Sequence, residues 1–241
     1  MLEALARDRI MVALDVDRTR ALELADILAG HARWVKIGMT LYYAEGPSIV
    51  RAFKERGFKV FLDLKFHDIP HQVRGAARSA AATGADLLTV HGLGAGPMLA
   101  AACEGAREAA EACGGERARV IAITVLTSMD APALASIGVA GPLADEAARL
   151  AALARDNGTD GVVCSPQEAQ AMRQLLGEDA WIVTPGVRPA GAALGDQSRV
   201  ATPAAAIAAG ASHLVIGRPI TGADDPLSAF EAIVGELVRD A

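Results

Sequence analysis

Asp63, Lys65 and Asp68 fall within six residues, in the run Asp63-Leu-Lys65-Phe-His-Asp68-Ile69-Pro70. Residues two apart on a strand share a face, so Asp63 and Lys65 are expected on the same side of the β-rich run Phe58–Leu64 and its end. An inward carboxylate and ammonium are costly to bury unless paired. Pairing and partial desolvation can tune such a lysine as a proton donor or acceptor. An ordinary ion pair at a strand end would show the same residues, so a lone D-x-K-x-x-D does not decide the chemistry. Pro70 can open a helix, which places the motif where a strand ends and its loop begins.

Apolar runs that read as strands are Ile10–Leu14, Trp34–Ile37, Lys59–Leu64, Asp86–Val90, Val120–Val125, Gly161–Cys164, Trp181–Thr184 and His213–Ile216. Between them lie alanine-rich helical stretches at about 19–30, 45–56, 70–83, 97–113, 143–156, 166–176 and 203–209, and a last one at about 226–239. Eight short strands, each followed by a helix, predict a single (β/α)8 barrel, a TIM barrel, over residues 1–241. Near-continuous apolar strands suit a parallel sheet buried on both faces. A doubly wound open sheet is the competing architecture, because strand order alone does not establish closure. The longest irregular segment is 185–203, a length that usually signals function or disorder.

Active sites of such barrels lie at the C-terminal strand ends. Those ends carry Asp15, Lys36, the Asp63/Lys65/Asp68 group, His91, Thr127-Ser128, Pro185-Gly186-Val187-Arg188 and Gly217-Arg218. Loops after strands seven and eight are the usual phosphate site of the fold. Gly186 and Gly217 would let backbone N–H groups approach an anion. Arg218 offers a planar fork for phosphate, and Gln197 on the long loop can add a neutral donor.

Composition narrows the classes. The chain has 241 residues, 52% hydrophobic, with Lys+Arg 23 against Asp+Glu 29 and a net charge of −6. That balance argues against nucleic acid as a partner, which would need a basic stripe. Aromatic residues at 4% offer no stacking platform for single strands. Cys103, Cys113 and Cys164, odd in number and in apolar surroundings, read as reduced, buried thiols of a cytoplasmic protein. The charged N-terminus lacks the apolar core of a secretory signal, and no stretch reads as a membrane span.

The chain resembles orotidine 5′-phosphate decarboxylase. The resemblance is carried by Ala13-Leu14-Asp15, Val35-Lys36-Ile37-Gly38, Asp63-Leu-Lys-Phe-His-Asp-Ile-Pro70, Leu126-Thr-Ser-Met129, Thr184-Pro-Gly-Val-Arg188, Gly195-Asp-Gln-Ser-Arg199 and Gly217-Arg-Pro-Ile220. These pieces occur in the family's order from the first strand to the eighth. The resemblance implies decarboxylation of orotidine 5′-monophosphate to uridine 5′-monophosphate without metal or organic cofactor, in a homodimer with shared active sites. It implies an alternating charge array of Lys36, Asp63, Lys65 and Asp68, the last from the neighbouring subunit. Lys65 would protonate C6 as CO2 departs, and Asp63 would lie against the departing carboxylate. Asp15 and Lys36 would hold the ribose, with Ile69 arriving alongside Asp68. Ser128 would meet the pyrimidine edge, Thr127 and Pro185 would also bind substrate, and Arg188, Gln197, Gly217 and Arg218 would hold phosphate. The chain departs from the family at His71-Gln72, where Asn-Thr is usual, and more mildly at Gly92.

Other chemistries are weaker. A sugar-phosphate decarboxylase or hexulose-phosphate synthase shares D-x-K-x-x-D but uses Mg²⁺. A barrel that only senses a nucleotide would not need Asp63, Lys65 and Asp68 intact. His67 and His71 are spaced for one helix face, but Pro70 lies between them and no third zinc ligand is evident. Gly92-Leu-Gly94-Ala-Gly96-Pro97 lacks the last glycine of a dinucleotide loop. No cysteine has a thiolate-stabilising neighbourhood.

Overall fold

The computed structural model describes residues 2–189 and 201–240. Eight parallel strands close into a barrel in chain order. They are β1 (Ile10–Ala13), β2 (Trp34–Gly38), β3 (Lys59–Phe66), β4 (Leu87–His91), β5 (Arg119–Ile123), β6 (Gly161–Val163), β7 (Trp181–Thr184) and β8 (His213–Ile216). The closing pair sets Met11 of β1 beside Val215 of β8. An open doubly wound sheet is thereby excluded.

Strand alternation divides the core in two. Val12, Val35, Leu62 and Leu88 point outward and pack under the helices. Met11, Ala13, Trp34, Phe61, Leu87, Ile121, Val183 and Val215 point inward and fill the barrel. That second set is the packed interior which makes such a barrel solid rather than a pore.

At the N-terminal end, aromatic rings form a floor. Trp34 and Trp181 meet edge to face at 5.7 Å, and Trp181 stacks on His213 at 4.1 Å. Lys59 and Arg119 cap the two indoles, 5.1 and 4.8 Å from the ring centroids. A repeated device ties the strand starts together. Asp86, Asp160 and Ser212, each just ahead of an even-numbered strand, accept the backbone N–H of Val60, Val120 and Ile182 at 2.7, 2.7 and 2.9 Å.

The helices depart from sequence expectation in identifiable ways. The helix expected at 45–56 is Pro47–Glu55, and an additional helix, Met39–Glu45, precedes it, the two separated at Gly46 with φ = 65°. Ala131–Ser136 is an additional helix, capped by the Asp130 side chain on the Ala133 N–H and carrying proline in its first turn. A short N-terminal helix, Glu3–Asp8, precedes β1. The cysteines also differ from expectation. Cys164 is buried, Cys103 is half-buried, and Cys113 is exposed at the end of the helix Ala95–Cys113.

Candidate active site

Local irregularity in β3 builds the site. Leu62 pairs with Leu88, and the next pair is Phe66 with Val90. Asp63, Leu64 and Lys65 therefore occupy the span that β4 crosses with Thr89 alone. Lys65 takes φ = 50°, the left-handed region. For a residue with a Cβ this costs about 1–2 kcal/mol, and strain of this kind clusters at functional sites.

The charged side chains form a continuous array along the inner wall. Lys65 Nζ donates to Asp63 Oδ2 at 2.8 Å. Lys36 Nζ lies 3.6 Å from the same oxygen and donates to Asp15 Oδ1 at 3.2 Å. The order is thus Asp15, Lys36, Asp63, Lys65, alternating in sign. Lys36 and Asp63 are each 8% exposed, so each needs the opposite charges around it to be buried there. Burial alone would raise the Asp63 carboxyl. The Lys36 and Lys65 ammonium groups, with hydrogen bonds from Lys65 and Thr89, outweigh it and hold Asp63 below the usual carboxylate range. Gly38 leaves the room this requires: a Cβ there would sit 3.1 Å from Asp15 Oδ1 and 3.2 Å from Lys36 Nζ.

The array borders a cavity of about 560 Å³ at the C-terminal end of the barrel. That size suits a small organic ligand. Of the residues singled out in the sequence, Asp15, Lys36, Asp63, Lys65, Thr127, Pro185, Arg188, Gly217 and Arg218 line it. Arg188 and Arg218 bring two guanidinium groups to the side formed after β7 and β8. Phe61, Ile123, Val125 and Val163 give the cavity an apolar wall that sequence inspection did not single out, although inward alternation on β3, β5 and β6 could have found most of it.

Three expected residues are not brought to this cavity within one chain. Asp68 and Ile69 are exposed, with the Ile69 N–H turned back onto Asp68 Oδ1 at 2.6 Å. Ser128 is also exposed, beyond the cavity-lining Thr127. Gln197 lies outside the described residues. Thr89, which the sequence reading did not single out, is fully buried and donates to Asp63 Oδ1 at 2.9 Å. Its clue in the sequence was a hydroxyl at an inward position between the apolar neighbours Leu88 and Val90. His91, at the end of β4, stacks on His67 at 5.1 Å. Burial, followed by the charges of His67 and Lys65, lowers it to about 4. Among the described residues no cluster of His, Cys, Asp and Glu is placed to hold a metal.

A closed barrel with a strained lysine, an alternating charge array and two arginines around one rim cavity defines a TIM-barrel enzyme for a small anionic substrate. The profile of the family described as Orotidine 5'-phosphate decarboxylase / HUMPS matches residues 8–233, and the chain belongs to that family. A protein named Orotidine 5'-phosphate decarboxylase from Moorella thermoacetica is 50% identical over 239 residues, covering 98% of this chain and 95% of its own. One of the same name from Halorhodospira halophila is 52% identical over 230 residues, 95% of each chain. The crystal structure of Orotidine 5'-phosphate decarboxylase from Lactobacillus acidophilus superposes with a TM-score of 0.85 at 36% identity, covering 95% of this chain and 99% of that one.

Proposed function

We propose that this chain is a single-domain carboxy-lyase that converts orotidine 5′-monophosphate to uridine 5′-monophosphate and CO2, the last step of UMP synthesis. The observation that carries this reading is Lys65 Nζ held 2.8 Å from Asp63 on the wall of the rim cavity. Lys65 delivers a proton to C6 as the carboxylate leaves, and Asp63 lies against that carboxylate. Asp15 and Lys36 hold the ribose hydroxyls. Thr127 and Pro185 border the pyrimidine, and Ser128 is assigned to its edge on the resemblance alone. Arg188, Gly217 and Arg218 hold phosphate, with Gln197 assigned to them on the resemblance alone.

Magnitudes explain why so many groups are needed. The carbanion at C6 has no carbonyl or cofactor to accept its electrons. The barrier reduction must lie in the upper part of the roughly 8–23 kcal/mol range of enzymes. One ammonium at 4 Å supplies about 4 kcal/mol at a realistic effective dielectric. The remainder has to come from phosphate and ribose binding, which can drive desolvation and assemble the charges around the reacting carbon.

Incubation with orotidine 5′-monophosphate, followed by loss of pyrimidine absorbance, tests the reaction. Turnover should survive exhaustive EDTA treatment. Loss on chelation, restored by Mg²⁺, would move the chain to the sugar-phosphate branch. Three widely spaced cysteines, an odd number with Cys164 buried and Cys103 half-buried, fit the reducing cytoplasm as its compartment.

The active enzyme is proposed to be a C2 homodimer in which Asp68 and Ile69 enter the neighbour's site, the fate that suits two residues exposed beside their own cavity. Lys65→Ala and Asp68→Asn should each be nearly inactive. When they are unfolded together and refolded, half the dimers are mixed by random pairing. One site in each mixed dimer is then wild type at both positions, restoring about one quarter of all sites. No recovery, once mixed dimers are confirmed by mass spectrometry, would refute the shared site.

A further inference from the structure

We infer that Thr89 is a positioning residue, whose single hydroxyl sets both the carboxylate of Asp63 and the backbone of Lys65. The Lys65 N–H is a donor only, and it points at Thr89 Oγ1 from 2.9 Å. Thr89 therefore accepts there and has its own proton free for Asp63 Oδ1, also 2.9 Å away. The direction of both bonds follows from donor and acceptor chemistry alone.

The need for such a clamp comes from the irregularity in β3. Three residues stand where β4 has one, so the Lys65 N–H has left the regular ladder. Its left-handed backbone, φ = 50°, would relax unless something over-determined it. The Thr89 side chain stands in for the missing backbone acceptor. The same hydroxyl occupies one carboxylate oxygen of Asp63, leaving Oδ2 to the two lysines at 2.8 and 3.6 Å. One inward hydroxyl thus sets the aim of both charged groups closest to the reacting carbon. Neighbouring inward positions are apolar, Leu87 two residues earlier and Ile121 in register on β5. A threonine that only packed there could be replaced by valine without loss.

The kinetic consequence presupposes the decarboxylation proposed above; the effect on the Lys65 amide does not. Thr89→Val and Thr89→Ser should be compared with wild type by steady-state kinetics on orotidine 5′-monophosphate and by amide hydrogen exchange at Lys65 in the free protein. Thr89→Val should lower kcat roughly 10- to 100-fold, the scale on which removing an outer hydrogen-bond partner acts. KM should move less than about threefold, since ribose and phosphate are held elsewhere. Exchange at Lys65 should accelerate at least about tenfold. Thr89→Ser, which keeps the hydroxyl, should restore both. Wild-type kcat and Lys65 protection in Thr89→Val, or a serine variant no better than valine, would overturn the assignment. Should Thr89→Val not fold, Thr89→Ala and Thr89→Ser, which differ by the hydroxyl alone, repeat the comparison. If wild type shows no turnover, the decarboxylase reading fails and exchange at Lys65 decides the role of Thr89 by itself.

Discussion

The two ends of this barrel use the same residue types to opposite purposes. At the N-terminal end, Asp160 accepts the Val120 N–H at 2.7 Å and is gripped by Arg117 at 2.6 and 3.0 Å. Asp86 likewise takes the Val60 N–H and Lys54, at 2.7 and 2.6 Å. Each carboxylate is bound to backbone and cation together, so it fastens strands. At the C-terminal end, Asp63 accepts from the side chains of Lys65 and Thr89. Its lysine partners face a cavity, and the backbone at Lys65 is strained rather than relaxed. The contrast teaches that an ion pair's role depends on what else its atoms hold. Bonded to backbone, it stabilises the fold; bonded to side chains on a cavity wall, it is poised for a ligand. Stability at one face and chemistry at the other is the division expected of such barrels.

The largest expected effect that would sharpen this contrast is at Lys65. Lys65→Ala should reduce kcat by at least about 10²–10⁴-fold, the usual contribution of a positioned proton donor. Its melting temperature should change little, because Lys36 and Thr89 remain on Asp63 and an alanine keeps the same left-handed backbone cost. Near-wild-type kcat in the folded variant would remove Lys65 from the chemistry. A large fall in melting temperature would show the rim pair to be structural after all.

The opposite outcome is expected below. Asp160→Ala removes a charge-assisted bond to a strand N–H, worth about 1.5–3 kcal/mol. For a chain of this size that lowers the melting temperature by roughly 5–10 °C. The kcat of the folded fraction should be unchanged. Thermal unfolding and active-site-normalised kinetics measure the two together, and a lowered kcat would break the division between the faces.

The smallest effect concerns pH. Burial, against the raising influence of Asp8, lowers His213 to about 4. The unfolded chain, with an ordinary histidine near 6.5, therefore takes up a proton first as pH falls. The stability contributed by neutral His213 is fully present above about 6.5 and is lost as pH falls from there through about 4. Between pH 7 and 4.5 the loss amounts to about 2 kcal/mol. His213→Gln should lack that component, so the difference in unfolding free energy between the two pH values should shrink by that amount in denaturant titrations. An unchanged difference would show that acid acts on the molecule elsewhere.

Much of this organisation was legible in the residues. The expected ranges of β7 and β8 coincide with the observed strands, because short apolar runs bounded by turn residues leave little latitude. Helix Leu143–Asp156 likewise matches its expected span. The meeting of Asp63 and Lys65 followed from alternation, although Lys65 reaches Asp63 through a left-handed backbone that alternation does not contain. Helix Met39–Glu45 went unread because seven residues are too few to show periodicity. Asp130 and Pro132 carried a readable helix start, a side-chain cap and a first-turn proline, yet the six-residue helix they open is too short to show periodicity.

The sequence by itself determined the eight strand–helix repeats, the order of the charged strand ends and the placement of arginines after β7 and β8. These are local or periodic properties, written in residue type and spacing. Only the tertiary structure decided that β1 pairs with β8, that β3 spends three residues against one of β4, and that Thr89 meets both Asp63 and Lys65. It also decided that Asp68 and Ile69 lie exposed, outside the lining of the cavity their own chain builds. Each of these depends on register between segments distant in the chain, and a shift of one residue would turn Thr89 outward and leave Asp63 without its second partner.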